Sequence, residues 1–239
     1  MKYKVCDIHA HIVPGVDDGA SDLDMSIDIL HAAYTQGTRS IVCTSHSGYN
    51  AKQYLSNFEQ LKQRVKRKNI KINLYSGCEI YCNSCIMSDI LVKLRHKEVF
   101  TINETEYVLV EFDPNALISE IVYCIKFLQN HGYSTILAHT ERYVNLSVGG
   151  VWIKLLHQMG CFFQINAYSF YDTCDDQMKS FARWMLKEQY VTFIGSDVHH
   201  TSYRKYAVKN GIDYVYQNCD AEYAKDICYR NAENILNIK

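Results

Sequence analysis

The chain has 239 residues, 48% of them hydrophobic, and sets 25 Lys and Arg against 26 Asp and Glu, so it can bury a sizeable core at a formal charge of −1. That balance leaves no electrostatic footprint for nucleic acid or a membrane surface, and no apolar run approaches the roughly 18–20 residues of a membrane span. Ten cysteines without a signal-peptide pattern imply reduced thiols in a cytoplasm, and two prolines with 11 glycines leave no candidate for a long linker, so one domain over residues 1–239 is expected.

Tyr3–Ile8 reads as a buried strand that breaks into His9-Ala10-His11. Alternate residues of an extended strand share a face, so the two imidazoles point the same way, about 6–7 Å apart at Cα. Asp18, in an Asp-Asp-Gly turn, follows. Two histidines and a carboxylate at the mouth of a strand suit a hard or borderline divalent metal. Ser21, with Asp24 three residues on, predicts an N-cap, and Leu23, Ile27, Leu30 and Tyr34 mark one helix face that ends at Gly37. The β-branched run Arg39–Thr44 delivers Ser45-His46. Tyr54, Phe58, Leu61 and Val65 mark a second helix, whose basic end, Lys62–Lys71, reads as solvated.

Ile70–Ser76 is the third predicted strand and leads to Gly77-Cys78-Glu79; a short helix is expected over Ile86–Lys97. Tyr107–Val110 is the fourth strand and ends at Glu111. A helix marked by Ile118, Ile121, Val122, Ile125 and Leu128 follows. Thr135–Ala138, the fifth strand, ends at His139. After a helix through Val151, Leu155 and Met159 comes Cys161–Ile165, ending at Asn166. Met178, Phe181 and Met185 precede Val191–Ile194, the seventh strand, which ends at Gly195-Ser196-Asp197 with His199 two residues on. Asp220–Ile238 reads as helix.

Seven strand–helix repeats define an α/β chain, either a barrel or a doubly wound sheet. The polar residues decide between them. His9, His11, His46, Glu79, Glu111, His139, Asn166, Asp197 and His199 all fall at strand ends, which in a (β/α) barrel share one rim. No nucleotide-cradling glycine motif follows the first strand. Five histidines and four acids (Asp18, Glu79, Glu111, Asp197) are too many ligands for one ion and suit two or three, of a type such as Mn²⁺, Fe or Zn²⁺. Clustered divalent ions supply hydroxide near neutral pH and stabilise in-line displacement at phosphorus. Arg142 and Arg204 sit on loops leaving the rim, each a candidate either for contact with non-bridging phosphate oxygens or for a plain surface ion pair, whereas Arg183 falls on an outer helix.

The segments DIHAHIVPGVDDG, TSH, GCEIY, VEF, AHTERY, QIN and SDVH run in order along the whole chain. They resemble the CpsB/YwqE-type bacterial protein-tyrosine phosphatases of the PHP (polymerase and histidinol phosphatase) superfamily. The resemblance implies a distorted seven-stranded TIM-like barrel and a two- or three-ion site usually active with manganese. It also implies hydrolysis of phosphotyrosine on a protein substrate, the Tyr-rich tail of a bacterial tyrosine kinase that controls capsular or exopolysaccharide assembly. Carried over by position, the metal ligands are His9, His11, Asp18, His46, Glu79, Glu111, His139, Asp197 and His199, with Arg142 and Arg204 on the phosphate. His199 or a metal water would protonate the leaving oxygen. Asn231-Ala232 departs from an Asn-Pro-like helix start, away from the chemistry.

Other classes leave their own signatures. Cys78-x3-Cys82-x2-Cys85 has the spacing of an iron–sulfur motif, against which stand nine hard ligands at strand ends. A cysteine-based phosphatase needs Cys-x5-Arg, and none of the ten cysteines has Arg six residues later. A non-catalytic scaffold that binds a phosphotyrosine tail, and a small-molecule phosphatase of the histidinol-phosphatase type, stay open.

Overall fold

The computed structural model describes residues 3–237. Its first half runs β1 (Val5–Ala10), α1 (Leu23–Thr35), β2 (Thr38–Cys43), α2 (Ala51–Arg67), β3 (Asn73–Ser76), β4 (Glu79–Tyr81), α3 (Met87–Arg95) and β5 (Tyr107–Glu111). The second half runs α4 (Ile118–Asn130), β6 (Ser134–Leu137), α5 (Val151–Gln158), β7 (Phe162–Asn166), α6 (Asp176–Lys187), β8 (Phe193–Gly195), α7 (Lys209–Asn218), α8 (Ala221–Lys225) and α9 (Asn231–Ile235). Every strand pairing is parallel. Strand order is β1-β2-β3 in one sheet and β4-β5-β6-β7-β8 in the other.

This is the expected α/β alternation with one correction. The sequence places seven strands and ends the third at Glu79; instead Gly77 and Cys78 break the chain, and Glu79 opens an additional strand, giving eight. A Cβ on Gly77 would lie 2.8 Å from Val42 Cγ1, so only glycine allows the break to press against β2. β4 pairs with the C-terminal half of β5, Glu79 opposite Leu109 and Tyr81 opposite Glu111. Two isolated bridges join the two sheets: Ala10–Val198 links the end of β1 to the segment after β8, and His46–Glu79 links the segment after β2 to the start of β4. The two-residue break is invisible to periodicity, which sees one apolar run.

The helical stripes pack as their spacing requires. Tyr54, Phe58, Leu61 and Val65 of α2 are all buried, each side chain contributing about 1.5–3 kcal/mol on full burial. The Tyr54 hydroxyl also donates to Cys43 O (2.7 Å) and accepts from Gly77 N (3.2 Å), fixing the β3–β4 break against the end of β2. One helix face therefore helps to set where Glu79 stands. The α1 cap is Asp22 rather than Ser21: its carboxylate accepts from Met25 N at 2.9 Å, while the Ser21 hydroxyl donates to it.

Two C-terminal features escape the periodicity. Helix α7 carries Gly211, where a Cβ would lie 2.2 Å from Ala167 O; close approach to the segment after β7 interrupts its apolar pattern. The predicted tail helix divides into α8, a π-helical turn over Asp226–Arg230, and α9, so Asn231 continues a helix instead of starting one. Its last predicted residue, Ile238, lies outside the described residues.

Candidate metal centre

β1 is buried on both faces, so it holds His9 and carries the chain on to His11 at the rim. The β8 end returns beside it: Asp197 N donates to His9 O (2.8 Å) and His11 N to Val198 O (2.9 Å). Across the rim, Ser47 N donates to Glu79 O (2.8 Å) and Glu79 N to Ser45 O (3.1 Å), bringing His46 beside Glu79. Glycine makes room here too, since a Cβ on Gly195 would lie 2.8 Å from Gln164 Nε2 and 2.9 Å from His9 Cβ.

Four overlapping groups of potential ligands result. They are His11, Asp18, His46 and His199; His9, Glu79 and His139; His9, His11 and Asp197; and His46, Glu79 and Glu111, with ligand atoms inside each group within 4.8 Å. Together they contain all nine side chains named from the sequence. Glu79 is central: its carboxylate lies 2.9 Å from His139 Nε2, 3.2 Å from both His9 Nε2 and His11 Nε2, and 3.1 Å from His46 Nδ1. Cys78, Cys82 and Cys85 do not gather, because no such group among the described residues contains a cysteine. Burial also pushes the Cys78 thiol up to about 12 and the Cys82 thiol well above its usual range, far from thiolate chemistry.

Hydrogen bonds assign the imidazole tautomers. Gln164 Oε1 accepts from His139 N (2.9 Å), and its Nε2 donates to Asn166 Oδ1 (2.8 Å). His9 Nδ1, 2.9 Å from Gln164 Oε1, must therefore be a donor, which leaves Nε2 with the lone pair. His11 Nδ1 donates to Asp17 Oδ2 (2.8 Å), and His199 Nδ1 to Asp197 O (3.0 Å). The Nε2 atoms of neutral His9 and His11 would thus face each other at 3.2 Å, lone pair to lone pair, while the buried His199 Nε2 has no hydrogen-bond partner. A proton or a cation must lie between such atoms. Two ligands about 2.0–2.2 Å from one ion, at octahedral to tetrahedral angles, stand about 2.8–3.6 Å apart. The donor set and its spacings fit a divalent cation.

The charges agree. Burial works against charge on His9, yet the carboxylates of Glu79 and Asp197 outweigh it and raise its pKa to about 9. Asp197 is also buried, and His9 and Arg142 hold its carboxyl well below the usual range. Burial together with neighbouring His11 lowers the His199 imidazole.

Both predicted arginines reach Asp197. Arg142 Nη2 donates to Oδ2 at 2.5 Å and Arg204 Nη2 to Oδ1 at 2.7 Å; the two line a cavity of about 430 Å³ with Tyr168, Ser196 and Ala207. His139, Asp197 and Arg204 all have left-handed φ, at 30°, 53° and 42°. Three non-glycine residues in that region around one site mark stored strain. Arg183 lies on the outer helix α6, as expected, and donates to Phe170 O at 3.1 Å.

Sequence reasoning missed the residues behind the ligands. Asp17, the first of the Asp-Asp pair, accepts from His11, His46 N (2.9 Å) and Gly19 N (3.1 Å). Gln164, Tyr168 and Glu141 were also unmarked; the one available signal was their place in QIN, NAY and TERY beside strand ends.

Parallel α/β sheets that gather hard ligands and two arginines at strand ends define the class: an α/β protein with a candidate multinuclear metal centre. The chain belongs to the capsular polysaccharide synthesis CpsB/CapC family, which it matches over residues 5–237. It is 30% identical over 240 residues to the tyrosine-protein phosphatase CpsB of Streptococcus agalactiae serotype III (strain NEM316), covering 96% of this chain and 97% of that protein. It superimposes with a TM-score of 0.88 on a structure from work on Bacillus subtilis YwqE and Streptococcus pneumoniae CpsB, described as unique metal-dependent tyrosine phosphatases. That match has 26% identity and covers 97% of this chain and 94% of the other. Histidinol phosphate phosphatase of Lactococcus lactis, at a TM-score of 0.63 and 16% identity over 90% of this chain and 93% of that one, shares the fold.

Proposed function

We propose that this chain is a metal-dependent protein-tyrosine phosphatase, formed as one domain over residues 1–239 with its two sheets curled into a distorted barrel. The observation that carries this is the gathering of nine hard ligands in four overlapping groups, with both arginines bonded to one of them, Asp197. The ligands are His9, His11, Asp18, His46, Glu79, Glu111, His139, Asp197 and His199. Two or three divalent ions, manganese in the first place, would supply activated water and neutralise phosphoryl charge. Arg142 and Arg204 bind the non-bridging oxygens, whose charge matters most in the transition state. His199, with Nδ1–H engaged and its pKa lowered, serves as a ligand. A leaving phenolate with a pKa of about 10 needs little help from a general acid.

The substrate is phosphotyrosine in a cytoplasmic protein of the capsule-synthesis machinery, the Tyr-rich tail of a tyrosine kinase that the phosphatase opposes. Family membership and the matching relatives support this choice. No helix among the described residues is long and apolar enough to cross a membrane. The test is turnover of a phosphotyrosine peptide against histidinol phosphate after reconstitution with Mn²⁺, Zn²⁺ or Fe²⁺. Peptide hydrolysis that chelator abolishes is expected; hydrolysis of histidinol phosphate alone would replace the assignment.

A further inference from the structure

Arg142 is held along one edge by a residue outside the ligand set. The Tyr168 hydroxyl oxygen accepts from Arg142 Nη2 at 2.8 Å and from Nε at 3.2 Å, while Nη2 also reaches Asp197. Among the described residues no group hydrogen-bonds Nη1. Tyr168 sits on a 3₁₀ turn, Ala167–Phe170, that is fixed from several sides. The buried Glu141 carboxylate, next to Arg142 in sequence, accepts from Ser169 Oγ (2.6 Å) and Asn166 N (3.1 Å). Ala167 lies against Gly211 of α7, and Phe170 stacks on Tyr214 at 5.4 Å. The segment that bears the arginine thus grips the turn that bears its tyrosine.

We propose that Tyr168 is a positioning residue for Arg142: its hydroxyl fixes the Nε/Nη2 edge of the guanidinium and leaves the Nη1 end for an anion in the cavity shared with Arg204. An arginine held this way loses less freedom when it binds a phosphoryl group, and its Nη1 donors are already oriented for the transition state. The inference rests on Arg142 as a phosphate contact.

A double-mutant cycle on the metal-loaded enzyme tests it. Tyr168→Phe removes only the oxygen and should cut kcat/KM for a phosphotyrosine peptide by about 10–100-fold, the range for losing the partner that orients a working side chain. It should also weaken inorganic phosphate binding, followed by calorimetry, with metal content and thermal midpoint unchanged. In an Arg142→Ala background the same substitution should change neither quantity. Ser169→Ala, which loosens the Glu141 grip, should shift both in the same direction by less. Wild-type behaviour of Tyr168→Phe beside an impaired Arg142→Ala overturns the inference alone, as does an equal loss in both backgrounds. An unimpaired Arg142→Ala overturns the phosphate role of Arg142 and the inference with it.

Discussion

Gln164→Leu should weaken metal binding although Gln164 is not a ligand. The buried amide receives His9 Nδ1–H and His139 N–H on one oxygen and donates to Asn166, itself 3.1 Å from Asp197 Oδ2. Leucine keeps the approximate shape and deletes all three partners. The His139 N–H is fixed by the backbone and cannot turn away, so at least one buried donor is left unpaired, at about 1–3 kcal/mol. Against a typical total of about 5–15 kcal/mol the variant should still fold, with a measurably lower urea midpoint in chelator. His9 loses the bond that presents Nε2, and such outer partners are worth about 10–100-fold in affinity. Competition for Mn²⁺ against a chromophoric chelator reads this directly. Wild-type affinity in a variant shown to be destabilised would mean that packing alone orients His9, and the tautomer argument would fail.

Arg142→Ala and Arg204→Ala should each reduce kcat/KM on a phosphotyrosine peptide by about 10²–10³ with metal content intact, whereas Arg95→Ala, exposed on α3, should match wild type. Cys78→Ser, Cys82→Ser and Cys85→Ser should retain most turnover, even if the buried pair lowers the melting temperature; an inactive but folded variant would revive a thiol role. Metal affinity should rise with pH. In cation-free protein the raised pKa of His9, about 9, keeps it protonated at neutral pH, so binding must expel that proton. Proton release measured by calorimetry in two buffers of different ionisation enthalpy checks the sign, and proton uptake would reverse it.

How far the sequence reads depends on what holds each residue in place. His9 and His11 are legible because a two-residue period fixes their common face, and the α2 stripe because four apolar residues repeat at helical spacing. Glu79 is legible as a rim residue but not as the opening of its own strand, because the break depends on how closely Gly77 meets Val42. Asp17 and Asp18 are indistinguishable as letters. Only the folded turn aims Asp17 at His11 Nδ1 and brings Asp18 within 3.4 Å of His46 and His199. Tyr168 and Gln164 act across strands, through contacts that no local pattern encodes.

Asp197 is where the two halves of the site meet. Its Oδ1 stands 3.6 Å from the imidazoles of His9, His11 and His199 and 2.7 Å from Arg204, while Oδ2 receives Arg142 and Asn166. A buried carboxylate that faces several cationic groups is held ionised, and its left-handed backbone persists because bonds to His9 O and from the two arginines over-determine it. The same carboxylate therefore orients the arginines and faces the histidines from one fixed point. Anion pocket and metal centre share this carboxylate, and the bonds from Asn166 and to His9 O hold it for the metal side when a single arginine is removed.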